Sequence, residues 1–129
     1  PEIRNDRLFA ESYFQQNTLI DFSEGDEVRM QRYIDQFLTK TLSGMDNLVA
    51  ALENKDFDEA RVVVHNIKPL LRVMGVNLGS ELADEIEQGC IARADVNELR
   101  AKANQLFEIC KQTVEQVRAF DTKKETKSA

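Results

Sequence analysis

The chain holds a single histidine, His65, and the residues at helical spacing around it decide what its imidazole can do. At about 100° per residue, Phe57, Ala60, Val63, Val64, Ile67, Leu70, Leu71 and Met74 fall in one arc, roughly 140° to 280° from His65, which marks the core face of a helix. His65 points away from that arc, flanked within roughly 60° by Asp58, Arg61, Lys68, Pro69 and Arg72. The pattern excludes a buried histidine and predicts an exposed imidazole in a mostly cationic neighbourhood. Lys68 and Arg72, three and seven residues on, share its face. Like charge disfavours the imidazolium, so the ring is expected to stay neutral and keep a nucleophilic lone pair. The same cations would stabilise an anion attached to that nitrogen, above all a phosphoryl group with its several acceptor oxygens. With a solvent-facing head, Lys68 is expected to be replaceable by alanine without unfolding the chain.

Two further features lie beside the histidine. Val62 and Val73 fall at roughly 60° and 80° from it, outside the core arc, and exposed apolar surface next to a reactive group suits a docking surface. Pro69 removes the hydrogen bond to the carbonyl of His65 itself, so the helix either bends there or ends and restarts.

Other chemistries lack their residues. One histidine, with Cys90 and Cys110 outside any CxxC spacing, cannot assemble a metal cluster, and no cofactor is expected on this chain. The cysteines read as small core residues in a reducing compartment. Neither a GxGxxG nor a GxxxxGK[ST] loop is present, so nucleotide-driven autophosphorylation is not expected. With 17 Lys and Arg against 23 Asp and Glu, the net charge of −6 argues against nucleic acid as a partner. Apolar runs such as Val62-Val63-Val64 fall far short of the ~20 residues of a membrane span, and no signal-peptide pattern opens the sequence. A cytoplasmic location without membrane contact is expected, any anchor belonging to a parent chain. A chain beginning on Pro1 is expected to be a piece of a longer polypeptide or a processed form.

The elements that must position His65 are helices. The 129 residues suffice for one domain, and two prolines and five glycines among long stretches of Leu, Glu, Gln, Lys, Arg and Ala argue against a sheet. Ser23 with Asp26 three residues on predicts a capped helix over about 24–53, its stripe running Ile34, Phe37, Leu38, Leu42, Met45, Leu48, Val49 and Leu52. Asp56 with Glu59 starts the histidine helix, about 57–74, which Gly75 stops. A third helix runs from Asn77 or Ser80 to Gly89. The last opens at Asp95 with Glu98, and Val96, Leu99, Ala103, Leu106, Cys110, Val117 and Phe120 hold its seam. A short amphipathic helix over about Asp6–Gln16, with Leu8, Phe9, Tyr13 and Phe14, precedes them, and the polar residues 122–129 are expected to fray. Short connections force consecutive helices antiparallel, which gives an all-α, up-down-up-down four-helix bundle with a short extra N-terminal helix.

His65-Asn66-Ile67-Lys68-Pro69 with Gly75 resembles the H-x-x-K-G-x-x-x-x-x-G signature of histidine-containing phosphotransfer (HPt) domains of multistep two-component phosphorelays. Gly25-Asp26-Glu27 opening a long helix, the Asn54-Lys55-Asp56 turn, and Leu82 and Ile86 on the following helix extend the similarity over about residues 20–120. The resemblance implies that His65 accepts a phosphoryl group from the aspartate of a response-regulator receiver domain and passes it to another. It implies a phosphocarrier and not a kinase, a partner that brings its own Mg2+, association with a hybrid sensor histidine kinase in some arrangements, and a monomer. Carried over by residue, Lys68 would help hold the phosphoryl oxygens; from the helix face, Arg72 is expected to support them as well, and Arg61, Val62, Pro69, Val73 and Gly75 are the expected partner-docking residues. Gly75 matches the glycine that lets the helix end approach its neighbour. Pro69 stands where the family usually has glycine. Glu87 stands where some members carry a glutamine that contacts the histidine; a carboxylate there would repel a phosphoryl group, so no role is assigned to it. Those two departures motivate an alternative, a scaffold or interaction bundle that binds a receiver or kinase without transferring phosphate.

Overall fold

Aspartate side chains start two of the long helices, the histidine helix among them. The computed structural model describes residues 12–128, with side chains through Thr122. The regular elements among them are the helices α1 (Gln16–Ser23), α2 (Glu27–Glu53), α3 (Phe57–Val73), α4 (Asn77–Ile91) and α5 (Val96–Ser128). Asp26 caps α2, its Oδ1 accepting from the backbone N–H groups of Val28 at 2.9 Å and Arg29 at 3.2 Å. Asp56 caps α3 by accepting from Glu59 at 3.1 Å, as expected.

The expected cap at Ser23 is corrected. Ser23 closes α1, buried, with its hydroxyl donating to the Leu19 carbonyl at 2.7 Å. Glu24 and Gly25 then take left-handed conformations, φ 53° and 74°, which no helix can continue through, so α2 begins at Glu27 and not at 24. The expected helix over Asp6–Gln16 lies mostly outside the described residues. Residues 12–15, before α1, are not helical: Tyr13 and Phe14 donate their backbone N–H groups to Gln116 Oε1 at 3.1 and 2.9 Å, and the Phe14 ring meets Phe120 edge to face at 5.5 Å. The extra helix of the described chain is α1.

α4 starts at Asn77, the earlier of its two expected positions. α5 begins behind Asp95, whose Oδ1 accepts from Asn97 at 2.8 Å. It continues to Ser128, through the stretch expected to fray, because the Lys and Glu residues there favour helix and no glycine or proline interrupts them. α2 packs on α3, α3 on α4, α4 on α5, and α5 back on α2, closing the up-down-up-down bundle. Its core holds predicted positions, Ile34, Phe37, Met45, Leu48 and Leu52 from α2, Val64, Ile67 and Leu71 from α3, and Leu106, Cys110 and Val117 from α5, joined by Ile86 from α4, while the predicted Leu38, Leu42, Val49 and Val63 are half-buried.

Cys90 and Cys110 are free and buried in that core. Burial pushes the Cys90 thiol up and the Cys110 thiol up to about 12. Neither is therefore expected to react with iodoacetamide in the folded chain at about pH 8, and both should react once guanidinium unfolds it. Intact mass counts the adducts.

Candidate functional site

Burial of Ala60, Val64, Ile67 and Leu71 turns the opposite side of α3 outward, and His65 stands on that side with its side chain 62% exposed. Beside α3 runs α4, whose Asp84 and Glu87, three residues apart, project toward the same seam. Glu87 Oε2 lies 2.8 Å from His65 Nδ1, and Glu87 Oε1 accepts from Lys68 Nζ at 2.5 Å. Lys68 Nζ also donates to Asp84 Oδ1 at 3.0 Å.

The charge state of Glu87 fixes what the imidazole presents. The Lys68 hydrogen bond holds the Glu87 carboxyl below the usual carboxylate range, outweighing its burial. Hydrogen bonds to Glu87 and Asp84 likewise hold the Lys68 ammonium above the usual lysine range. An ionised Glu87 only accepts, so in the neutral ring the proton sits on Nδ1 and the lone pair on Nε2.

This arrangement corrects the expected ring of cations. The charged group nearest the imidazole is a carboxylate. Lys68 is buried and turned into the α3–α4 seam, not toward solvent. At roughly 300° from His65, position 68 sits only about 20° beyond the core arc, on the side where α4 packs, and its long stem crosses that contact. Replacing Lys68 by alanine leaves Glu87 buried without its cation, so the expectation of an undisturbed fold is withdrawn. Arg72 is exposed as expected, Arg61 is half-buried, and neither side chain makes an ion pair or hydrogen bond among the described residues.

The expected docking residues divide in two. Val62, 43% exposed, and Pro69 stand on the surface beside His65, and α3 passes through Pro69 without ending. Val73 is instead half-buried against the core. Gly75 is buried, with φ 72°, and a Cβ built there would lie 2.6 Å from Gln15 Cβ. Its place is under the chain leading into α1, covered from solvent.

Asp84 is the residue that the reading of the sequence missed, and Glu87, placed beside the histidine by the resemblance, was given no role there. A signal was available on α4: at about 100° per residue Glu87 falls roughly 40° beyond Ala83, at the edge of the arc that Leu82, Ala83, Ile86 and Cys90 bury, where a carboxylate needs a partner. A surface groove between α2 and α3, lined by Lys40, Gly44, Asn47, Asn66 and Leu70, also had no counterpart in the expectations. It adjoins the histidine face at Asn66. Among the described residues no group of three or more His, Cys, Asp or Glu is placed to hold a metal ion, and no helix is long and apolar enough to cross a membrane.

The ion pair carries a pH signature. Because Glu87 titrates lower when folded, its contribution to stability is present above the unfolded carboxylate pKa and lost as pH falls through the folded value. Because Lys68 titrates higher when folded, its contribution is present below the unfolded lysine pKa and lost as pH rises through the folded value. The stability difference between wild type and Glu87→Gln in urea titrations should thus be widest near neutrality and shrink below about pH 4.

Residues 32–120 match the family model of the Hpt domain. No curated protein and no solved structure matches the chain.

Proposed function

The chain belongs to the Hpt domain family, whose members carry phosphoryl groups on histidine in phosphorelays, have no kinase activity of their own and interact with response-regulator receiver domains; from this premise we propose that His65 is the phosphorylated residue and Nε2 its acceptor atom. The observation that carries the reading is an exposed imidazole whose Nδ1 is held by Glu87 at 2.8 Å. The Nε2 lone pair attacks the phosphorus of a receiver's aspartyl phosphate, the N–P bond forms as the bond to the aspartate oxygen breaks, and the carboxylate leaves with that electron pair. Return to a second receiver reverses these changes. The Mg2+ that steadies the phosphoryl oxygens comes with the receiver.

Glu87 stands at the Nδ1 edge of the ring, not the Nε2 edge. A carboxylate there does not oppose the incoming phosphoryl group; it offsets the positive charge that the ring acquires as Nε2 bonds to phosphorus. The departure from glutamine therefore favours transfer. Pro69 leaves α3 continuous, so neither feature that motivated a non-transferring scaffold argues for one. Exposed Arg72 remains available to phosphoryl oxygens, and Val62, Pro69 and the rim of the α2–α3 groove form the face that meets the receiver. The protein acts as a monomer in the cytoplasm, where receivers reside. Incubation with a phosphorylated receiver and Mg2+ tests this: one acid-labile label on His65 is expected, and a receiver that binds without transferring label would support the scaffold instead.

A further inference from the structure

Pro69 is the residue of α3 that brings no backbone N–H to the helix. An α-helix pairs each carbonyl with the N–H four residues on, so the carbonyl left without that donor belongs to His65. The helix still runs on to Val73, and the proline ring, crowding this carbonyl, turns it outward. Both sides of the gap face solvent. His65, Asn66 and Pro69 are exposed, and positions 65 and 69 lie about 40° apart on one side of α3. Neighbouring side chains do not take the place of the missing donor: Lys68 Nζ is spent on Asp84 and Glu87, and the Arg72 side chain makes no hydrogen bond among the described residues. A backbone acceptor thus stands open beside the imidazole.

We propose that this freed carbonyl demands a hydrogen-bond donor from the receiver, and that Pro69, by freeing it, determines which receivers the chain serves. The proposal rests on the function proposed above. A receiver that brings its aspartyl phosphate in line with Nε2 closes over this stretch of α3 and strips water from the oxygen. Where the receiver places an N–H or O–H there, the acceptor is paired again. Where it presents an apolar side chain, the carbonyl is buried unpaired and the complex is weakened. Discrimination of this kind works by rejection. Val62 and the proline ring, which accept apolar surfaces of many shapes, discriminate far less than a polar group left without its partner. A helix carrying an N–H at position 69 would satisfy the oxygen internally and make no such demand.

Pro69→Ala supplies the missing N–H and tests the proposal in two steps. In the chain alone, the new amide at position 69 should be protected from hydrogen exchange, as one bonded to the His65 carbonyl. In single-turnover transfer from a panel of phosphorylated receivers with Mg2+, the wild type should discriminate among them. Pro69→Ala should slow the preferred receiver roughly tenfold and speed the poorly served ones, so that the spread narrows. Pro69→Val, which keeps apolar bulk and also carries an N–H, should behave like Pro69→Ala. Wild-type selectivity in Pro69→Val would overturn the proposal in favour of the bulk of the ring. Unchanged selectivity in both variants, a wild type that serves all receivers equally, or an unprotected amide at position 69 would overturn it as well. If the wild type takes no label from any receiver, the phosphotransfer function falls, and carbonyl-carbon NMR of His65 during titration with the unphosphorylated receivers decides the proposal alone. A downfield shift with a receiver that binds supports it, and no shift with any of them overturns it.

Discussion

His65→Gln is expected to take up no phosphoryl label from a phosphorylated receiver under conditions in which the wild type takes up one. The loss should be complete because the chain has no second histidine, and an amide nitrogen, its lone pair delocalised into the carbonyl, is not a nucleophile. The label on the wild type should be lost in acid and persist in alkali, as a phosphoramidate behaves, whereas an aspartyl phosphate would be lost in alkali too. The fold should hardly register the change. The ring is 62% exposed and its removal opens no core cavity, so the stability cost stays within about 1 kcal/mol, chiefly the hydrogen bond to Glu87. Gel autoradiography after acid and alkali treatment, beside a thermal melt, checks both halves. Label that survives the substitution would move the acceptor elsewhere.

Under the function proposed above, two demands on this imidazole pull against each other. Nε2 must stand in the open for an aspartyl phosphate to approach in line, yet a ring standing in water selects neither a tautomer nor an orientation. The α3–α4 seam meets both. One edge of the ring leans on a carboxylate fixed by Lys68, and the other is left to the partner. Both helices are rigid elements tied to the core by Leu71 and Ile86, so the geometry is set before a receiver arrives and needs no ordering on encounter.

The bundle was legible in the sequence because apolar periodicity and aspartate caps are local signals. Asp56 and Gly75 bracket α3 without reference to any other helix, and the arc of Ala60 to Met74 fixes which way His65 points. What one helix cannot reveal is the charge that a neighbouring helix brings. Lys68, viewed on α3 alone, shares a face with His65 and reads as part of a basic patch; α4 supplies Asp84 and Glu87 and turns it inward. The same limit produced the misplaced start of α2. Ser23 and Asp26 fit a capping pattern, but the Ser23 hydroxyl is taken by Leu19 of a helix whose short length gave it little periodicity to read. Gly75 was recognised as a helix stop, and its burial became visible only with the chain that lies across it.

That crossing gives Gly75→Ala a large expected cost in stability. Two effects add. Alanine at φ 72° costs about 1 kcal/mol in backbone strain, and its Cβ would stand 2.6 Å from Gln15 Cβ and 2.9 Å from Thr18 Cβ, which forces the chain entering α1 to move at a further cost of about 1–3 kcal/mol. The melting temperature should fall by about 10 °C. Gly25→Ala separates the two effects, because Gly25 has nearly the same φ, 74°, and nothing within 4 Å of a built Cβ. It should lose only the strain, about 1 kcal/mol. The displacement should also be local: Gln15 donates its N–H to the Met74 carbonyl at 2.9 Å, so that amide should lose hydrogen-exchange protection in Gly75→Ala while amides of the α3–α4 seam keep theirs. Equal losses from the two glycines would mean that the α1 segment yields without cost, and that Gly75 is required for its backbone angle alone.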